Sequence, residues 1–126
     1  MSELNLPAAA QGDFAVEATL QDTSILARFT GNADLRARET LEKFLVSLHA
    51  EAQRVSAEKV IVDFHRLEFM NSSCFKSFVT WIGEVQDLNL DKQYRIHFRS
   101  NSEMLWQRRS LHALRCFAVD LITIEP

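Results

Sequence analysis

The chain contains little glycine, proline or cysteine. Its 126 residues include three Gly, two Pro and two Cys, whereas 47% are hydrophobic and 25% are charged. This composition excludes collagen-like and low-complexity chains, and the large apolar fraction excludes a disordered one. The two cysteines, Cys74 and Cys116, have no CxxC spacing. They therefore favour two reduced thiols over a disulfide framework.

The chain also lacks an excess of basic charge and any long apolar run. It has 14 Lys and Arg against 17 Asp and Glu, a formal net charge of -3. Because a general nucleic-acid binder is usually basic, we expect no direct nucleic-acid partner. No run approaches the roughly 18 apolar residues of a membrane span, and the N-terminus has no signal-peptide pattern. We therefore expect a soluble, cytoplasmic protein without membrane insertion.

Motifs for metal, nucleotide and covalent chemistry are equally scarce. No HxxxH, CxxC or glycine-rich phosphate loop occurs, so we expect no metal and no cofactor. One enzyme hypothesis remains, in which Cys74 or Ser72 is a nucleophile assisted by His65, since a helix N-terminus lowers a thiol pKa. Nothing in the sequence supplies an orienting third group or an oxyanion hole. We therefore expect a binding module and not an enzyme.

Apolar periodicity predicts eight elements in one domain. Alternation predicts strands, a continuous β-branched run predicts a buried central strand, and spacings of three and four predict helices. The order β-β-α-β-α-β-α-β predicts an α/β fold with a mixed, mainly parallel sheet of about five strands and covering helices. We assign residues 1–13 to a flexible lead-in and residues 14–126 to the domain. The predicted strands cover 14–20, 24–30, 59–64, 94–99 and 119–124, and the predicted helices cover 41–55, 75–85 and 102–116.

Two polar clusters lie on the predicted helices. Arg108, Arg109 and Arg115 make the third helix basic, which is typical of a solvated face or of a patch for an acidic partner or a phosphate. Asn71 or Ser72 is placed to cap the second helix. A phosphate on Ser72 or Ser73 would also be stabilised there, because the first N–H groups of a helix have no internal partner.

The segment VIVDFHRLEFMNSSCF, residues 60–75, resembles the signature of STAS domains, the anti-sigma factor antagonist family. That signature is an apolar strand ending in Asp, a short loop, and Phe-Met-Asp-Ser-Ser-Gly opening a helix. The chain departs from it at Asn71, where the family has Asp, and at Cys74, where it has Gly. Gly31 and Asp34 also resemble a Gly-x-x-Asp feature of the family. The matching residues of the signature are Asp63, Phe69, Met70, Ser72 and Ser73.

The resemblance implies a binding module switched by phosphorylation. The unmodified form would bind a serine kinase of anti-sigma type, phosphorylation at Ser72 (with Ser73 as the alternative) would release it, and a phosphatase would restore binding. Asp63 would lie beside Ser72, and the oligomeric state is left open. A constitutive STAS adaptor in a signalling or transporter-associated assembly is the alternative, motivated by Asn71 and Cys74. The implied partner-binding residues are Asp63, Asn71, Ser72, Ser73, Cys74 and Phe75, with Trp81 as a further candidate or a buried residue.

Overall fold

The structure is a computed structural model that describes residues 4–126. The described chain alternates strands and helices after an initial meander of three strands. A short 3-10 helix, Leu35–Ala37, precedes the first α-helix. The strands are β1 (Ala9–Gln11), β2 (Phe14–Gln21), β3 (Ser24–Ala33), β4 (Lys59–Met70), β5 (Arg95–Arg99) and β6 (Ile122–Glu125), and the helices are α1 (Arg38–Arg54), α2 (Ser72–Gln86) and α3 (Leu105–Phe117).

The strands form one mixed sheet in the order β1-β2-β3-β4-β5-β6. The pairs β1–β2 and β2–β3 are antiparallel, and the remaining three pairs are parallel. The predicted α/β class, the mainly parallel sheet and the covering helices are therefore confirmed. Parallel neighbours require a crossover, and α1, α2 and α3 provide these connections.

The sheet has six strands among the described residues, one more than the predicted number. The additional strand, Ala9–Gln11, pairs with Phe14–Val16 inside the segment for which we predicted a flexible lead-in. Leu6 is also buried in the core. Residues 6–11 thus belong to the domain, whereas residues 1–3 of the predicted lead-in lie outside the described residues. The sequence signal was weak because a three-residue edge strand is too short to show alternation.

All three helices cover the same face of the sheet, where the core lies. Phe29 on β3 is at its centre, with ring centroids 5.9 Å from Phe44, 5.5 Å from Phe64 and 5.6 Å from Phe78. These rings meet edge to face, an arrangement that aromatic pairs prefer. Trp81 is buried in the same core and donates from Nε1 to the Tyr94 hydroxyl at 2.8 Å. Trp81 is therefore not available as a partner contact.

The opposite face of the sheet carries a row of alternating charges. Arg28 is in register with Glu17 on one side and with Asp63 on the other. The row continues from Asp63 to Arg99 and then to Glu125. Opposite charges directly across neighbouring strands stabilise their pairing. The row has one residue on each of the five strands from β2 to β6.

β4 continues to Met70, through residues 65–70 that lie beyond the predicted strand 59–64. Its register with β3 shifts twice, between the partners of Arg28 and Thr30 and between those of Gly31 and Asn32. Each shift gives β4 one extra residue, as in a β-bulge. Phe64, Leu67 and Met70 therefore point inward at a spacing of three, which concealed the strand from a search for alternation.

β5 ends at Arg99, which lies opposite Asp63. Beyond Asp63, β4 therefore has no strand neighbour on the β5 side, and side chains bond to its backbone there. The buried amide of Gln107 on α3 donates to the Phe64 carbonyl at 2.6 Å and to the Leu67 carbonyl at 2.8 Å. Asn101 donates from Nδ2 to the His65 carbonyl at 3.1 Å. The two Gln107 bonds satisfy backbone acceptors that would otherwise be buried without a partner.

Replacing Gln107 by Met is expected to lower the free energy of unfolding by about 2 kcal/mol or more. The apolar side chain has a similar volume but leaves buried carbonyl oxygens without a donor, at roughly 1–3 kcal/mol each. Urea denaturation measures the loss. Gln53→Met is the matched control, because Gln53 is exposed on α1 and Met and Gln have similar helix propensities. Equal stabilities of the two variants would contradict the assigned role of Gln107.

Candidate functional site

The site begins where β4 ends and α2 starts. Asn71 accepts at Oδ1 from the Cys74 N–H at 2.9 Å, so Asn71 and not Ser72 is the N-cap. The Asn71 N–H donates to the Ala33 carbonyl at 2.9 Å, and the Phe75 N–H donates to the Asn71 carbonyl at 3.0 Å. The N–H groups of Ser72 and Ser73, at the first two positions of the helix, have no acceptor within it.

The two serines differ in exposure. Ser72 is exposed, whereas Ser73 is half-buried and its carbonyl accepts from the Ser77 hydroxyl at 3.3 Å. Lys76, one turn after Ser72 on α2, is also exposed. The Ser72 hydroxyl is therefore the more accessible of the two to another protein.

Exposed apolar side chains lie in the two chain segments that adjoin Ser72. Phe69 is 46% exposed and lies three residues before it, and Leu35 is 68% exposed in the 3-10 helix. The two segments are held together by the bond from Asn71 to Ala33 and by the register of Phe69 with Asn32. This surface, formed by Leu35, Phe69, Asn71, Ser72 and Phe75, is called the Ser72 surface below.

Asp34 orders the 3-10 helix beside α2. Its Oδ1 accepts from the Arg36 N–H at 3.0 Å and from the Ala37 N–H at 3.2 Å. Reduced hydration raises the pKa of Asp34, but the hydrogen bonds from Arg36 and Ala37 outweigh that effect and hold the pKa below its usual value. The ionised carboxylate therefore acts as the cap that places Leu35 at the surface.

The Cys74 side chain points into the core and not into the Ser72 surface. It is fully buried, and its Sγ donates to the Asp34 carbonyl at 3.5 Å. Burial, reinforced by the negative charge of Asp34, raises the pKa of the Cys74 thiol to about 11. A nucleophilic cysteine requires the opposite shift, so this environment does not activate Cys74. Nor can Cys74 contact a partner, although the resemblance implied it.

Thiol labelling is expected to separate the two cysteines. Cys116 is exposed and should react quickly with a thiol reagent in the native protein, whereas Cys74 should react only as the protein unfolds. In a Cys116→Ser variant only Cys74 can be labelled. Labelling of this variant in denaturant gives the signal that corresponds to complete reaction of Cys74. Rapid stoichiometric labelling of native Cys116→Ser would contradict this assignment and favour the enzyme hypothesis.

Asp63 does not lie beside Ser72. It is opposite Arg28, whereas Met70 at the end of β4 is opposite Ala33, five residues further along β3. Five residues of a strand span about 16 Å. Asp63 instead accepts from the His65 N–H at 2.9 Å, and its Oδ2 lies 3.9 Å from Arg28 Nε. Asp63 and His65 are thus outside the Ser72 surface.

Comparison with known proteins identifies the fold. No protein-family model and no curated protein matches the sequence. Among solved structures, an anti-sigma factor antagonist from Mycobacterium paratuberculosis has a TM-score of 0.68 at 14% identity, covering 94% of this chain and 90% of that chain. The chain has the fold of the anti-sigma factor antagonists. The likeness extends over nearly the whole domain, so the fold does not depend on the short signature alone.

The antagonist SpoIIAA has the same fold in two chemical states. Its unphosphorylated form has a TM-score of 0.58 at 18% identity, covering 90% of this chain and 88% of that chain. The phosphorylated form of SpoIIAA from Bacillus has a TM-score of 0.54 at 18% identity, covering 90% of this chain and 91% of that chain. In that protein, therefore, the antagonist fold accommodates a phosphate group.

Residues 4–126 contain neither a metal-binding cluster of side chains nor a membrane-spanning helix. No three His, Cys, Asp or Glu side chains come together there in a way that would hold a metal ion. None of the helices in this range has the length and apolar content needed to cross a bilayer.

Sequence reasoning missed the apolar part of the Ser72 surface. Phe69 matched the signature, but nothing in its pattern indicated that its side chain is exposed. Leu35 lies in a segment without apolar periodicity, where the sequence has no signal for a 3-10 helix. Its position depends on the contacts that Asp34 makes with Arg36 and Ala37.

Proposed function

We propose that this chain is a regulatory binding module of the anti-sigma factor antagonist type, which binds a serine kinase of anti-sigma type and is switched by phosphorylation at Ser72. The observation that carries the proposal is the exposed Ser72 at the start of α2, with exposed Phe69 at the end of β4 and exposed Leu35 in the neighbouring 3-10 helix. The partner docks on the Ser72 surface, and a phosphatase returns the chain to its binding form.

The start of α2 is chemically suited to carry a phosphate. The N–H groups of Ser72 and Ser73 and the positive end of the helix dipole favour an anion at this place. Lys76 lies four residues after Ser72, within reach on the same helix face. The modified domain therefore stays folded, and phosphorylation acts on the surface alone.

The same phosphate opposes binding. It adds about -1.5 to -2 charges at neutral pH. The Ser72 surface offers apolar contacts at Leu35 and Phe69, and a partner shaped for a neutral hydroxyl would have to bury this charge without a counter-ion. An unpaired buried charge costs a few kcal/mol, and about 1.4 kcal/mol already changes affinity tenfold.

The two departures from the family signature are compatible with this switch. Asn71 retains the capping bond to the Cys74 N–H, so α2 starts where the signature places it. The Cys74 side chain is turned inward, so it does not obstruct a kinase that approaches Ser72. The structure thus weakens the reasons for preferring the constitutive adaptor.

Intact mass spectrometry tests the proposal directly. The chain is purified from its native host, and its mass is compared before and after phosphatase treatment. We expect a population that carries one phosphate, which disappears in a Ser72→Ala variant and persists in Ser73→Ala. An unmodified chain under all growth conditions, or a phosphate that remains in Ser72→Ala, would contradict the switch at Ser72.

A further inference from the structure

A groove lies at the far edge of the sheet, between α3 and β6. Its volume is about 590 Å³. Leu105, Arg108, His112 and Arg115 line the α3 side, at spacings that place them on one helical face. Ile124 lines the β6 side. The Ser72 surface is at the end of β4, two strands away, and shares none of these residues.

The β6 edge offers backbone hydrogen-bonding groups to this groove. The sheet order ends at β6, so no other strand of residues 4–126 pairs with its outer edge. The Ser100 N–H donates to the Glu125 carbonyl at 2.9 Å and the Ile96 N–H donates to the Leu121 carbonyl at 2.9 Å. Residues alternate in direction along a parallel strand. Ile124 therefore directs its N–H and C=O groups away from β5.

The charge of the groove is opposite to that of the whole chain. Arg108 and Arg115 line it, and none of its lining residues is Asp or Glu. The chain as a whole has a formal net charge of -3. Leu105, 78% exposed, adds an uncovered apolar side chain on the same side of α3. The groove thus combines cationic side chains, an apolar contact and a free strand edge.

We propose that this groove binds an extended acidic segment of a partner protein, which adds to β6 as a further strand. Backbone bonds to Ile124 position the segment, and its carboxylates, on the alternate residues that face α3, pair with Arg108 and Arg115. Strand addition combines main-chain hydrogen bonds for affinity with side-chain contacts for specificity. The chain thereby has a second docking site, independent of the Ser72 surface.

A second copy of this chain fits the groove less well. Pairing of two β6 strands across a two-fold axis would bring the α3 helices of both copies to the same edge. The arginines of one copy would then face those of the other, and like charges at such an edge are destabilising. Charge complementarity therefore favours an acidic partner segment.

Fluorescence anisotropy with a labelled peptide of alternating Glu and Val tests the proposal. We expect saturable binding to the full chain that weakens with added salt. The double variant Arg108→Glu/Arg115→Glu should weaken binding roughly tenfold or more, because two attractions become repulsions. A peptide of alternating Lys and Val should not bind. No binding of the Glu and Val peptide, or equal binding of both peptides, would overturn the proposal.

Matched variants distinguish peptide binding in the groove from non-specific electrostatic attraction to the protein. Arg109 neighbours Arg108 and is exposed but does not line the groove, so Arg109→Glu should change affinity by less than about twofold. Equal effects of Arg108→Glu and Arg109→Glu would overturn the proposal. So would binding that survives N-methylation both in a peptide methylated at every Glu and in a peptide methylated at every Val, since one of the two sets must donate to the β6 edge.

Two further measurements distinguish peptide binding in the groove from the switch at Ser72 and from self-association of the chain. Ser72→Asp should leave peptide affinity unchanged, so failure of either proposal is recognised separately. Sedimentation velocity should give the same association state for the unmodified chain and for Arg108→Glu/Arg115→Glu. An association abolished by that variant would assign the groove to a second copy and overturn the proposal.

Discussion

Ser72→Asp is expected to weaken the complex with the proposed serine kinase partner by tenfold or more. The substitution places a negative charge on the Ser72 surface, which the partner must desolvate against Leu35 and Phe69. An acidic residue in the first turn of a helix is itself favourable, so α2 should stay intact. Isothermal titration calorimetry measures the affinity, and thermal unfolding of the free variant verifies that the domain remains folded.

Two controls accompany this experiment. Ser72→Ala removes the hydroxyl without adding charge and should bind within a few-fold of the unmodified chain, since a neutral hydrogen bond contributes only about 0.5–1.5 kcal/mol. Ser47→Asp adds the same charge on the exposed surface of α1 and should have no comparable effect. Unchanged affinity for Ser72→Asp would contradict the switch and favour the constitutive adaptor.

Gly31→Ala is expected to be the most destabilising conservative substitution in the neighbourhood of the site, at about 3 kcal/mol or more. Gly31 lies at the second register shift of β3 with φ +84°, a conformation that disfavours any side chain. An added Cβ would overlap the backbone carbonyl of Asp13. The strain would displace the following residues, including Ala33, which accepts the bond from Asn71. Urea denaturation measures the loss.

Gly83→Ala provides a control for this prediction with the opposite sign. Gly83 is inside α2, and nothing lies within 4 Å of a Cβ added there. Because Ala is favoured over Gly in a helix by roughly 0.8–1.0 kcal/mol, this variant should gain stability. A Gly31→Ala variant as stable as the unmodified chain would contradict the close approach of Asp13 to Gly31.

The sequence-based predictions agree best with the structure where a single local pattern determines a strand or a helix. The inward alternation of β2 and the apolar stripe of α1 were visible as periods of two and of three to four. Asn71 was one of the two caps predicted for α2, because a short side-chain oxygen next to free N–H groups is a local feature. The strand over 65–70 was missed because two bulges change its inward spacing to three.

Asp63 shows why the site was only partly predictable. In the signature it precedes the serine pair by a short interval, which suggested proximity to Ser72. The bulged extension of β4 places it about 16 Å away along the strand instead. The number of residues between two positions sets an upper limit on their distance in space. Whether those residues fold back or extend depends on long-range contacts, such as the bonds of Gln107 to Phe64 and Leu67.

The sequence by itself determined the α/β class, the order of the predicted strands and helices, and the position of Ser72 at the start of α2, because each follows from periodicity, composition or capping among neighbouring residues. Only the tertiary structure decided which side chains surround that serine. The inward direction of Cys74, the exposure of Phe69 and Leu35, and the groove between α3 and β6 depend on how distant segments pack. Packing of that kind leaves no periodic signal in the chain.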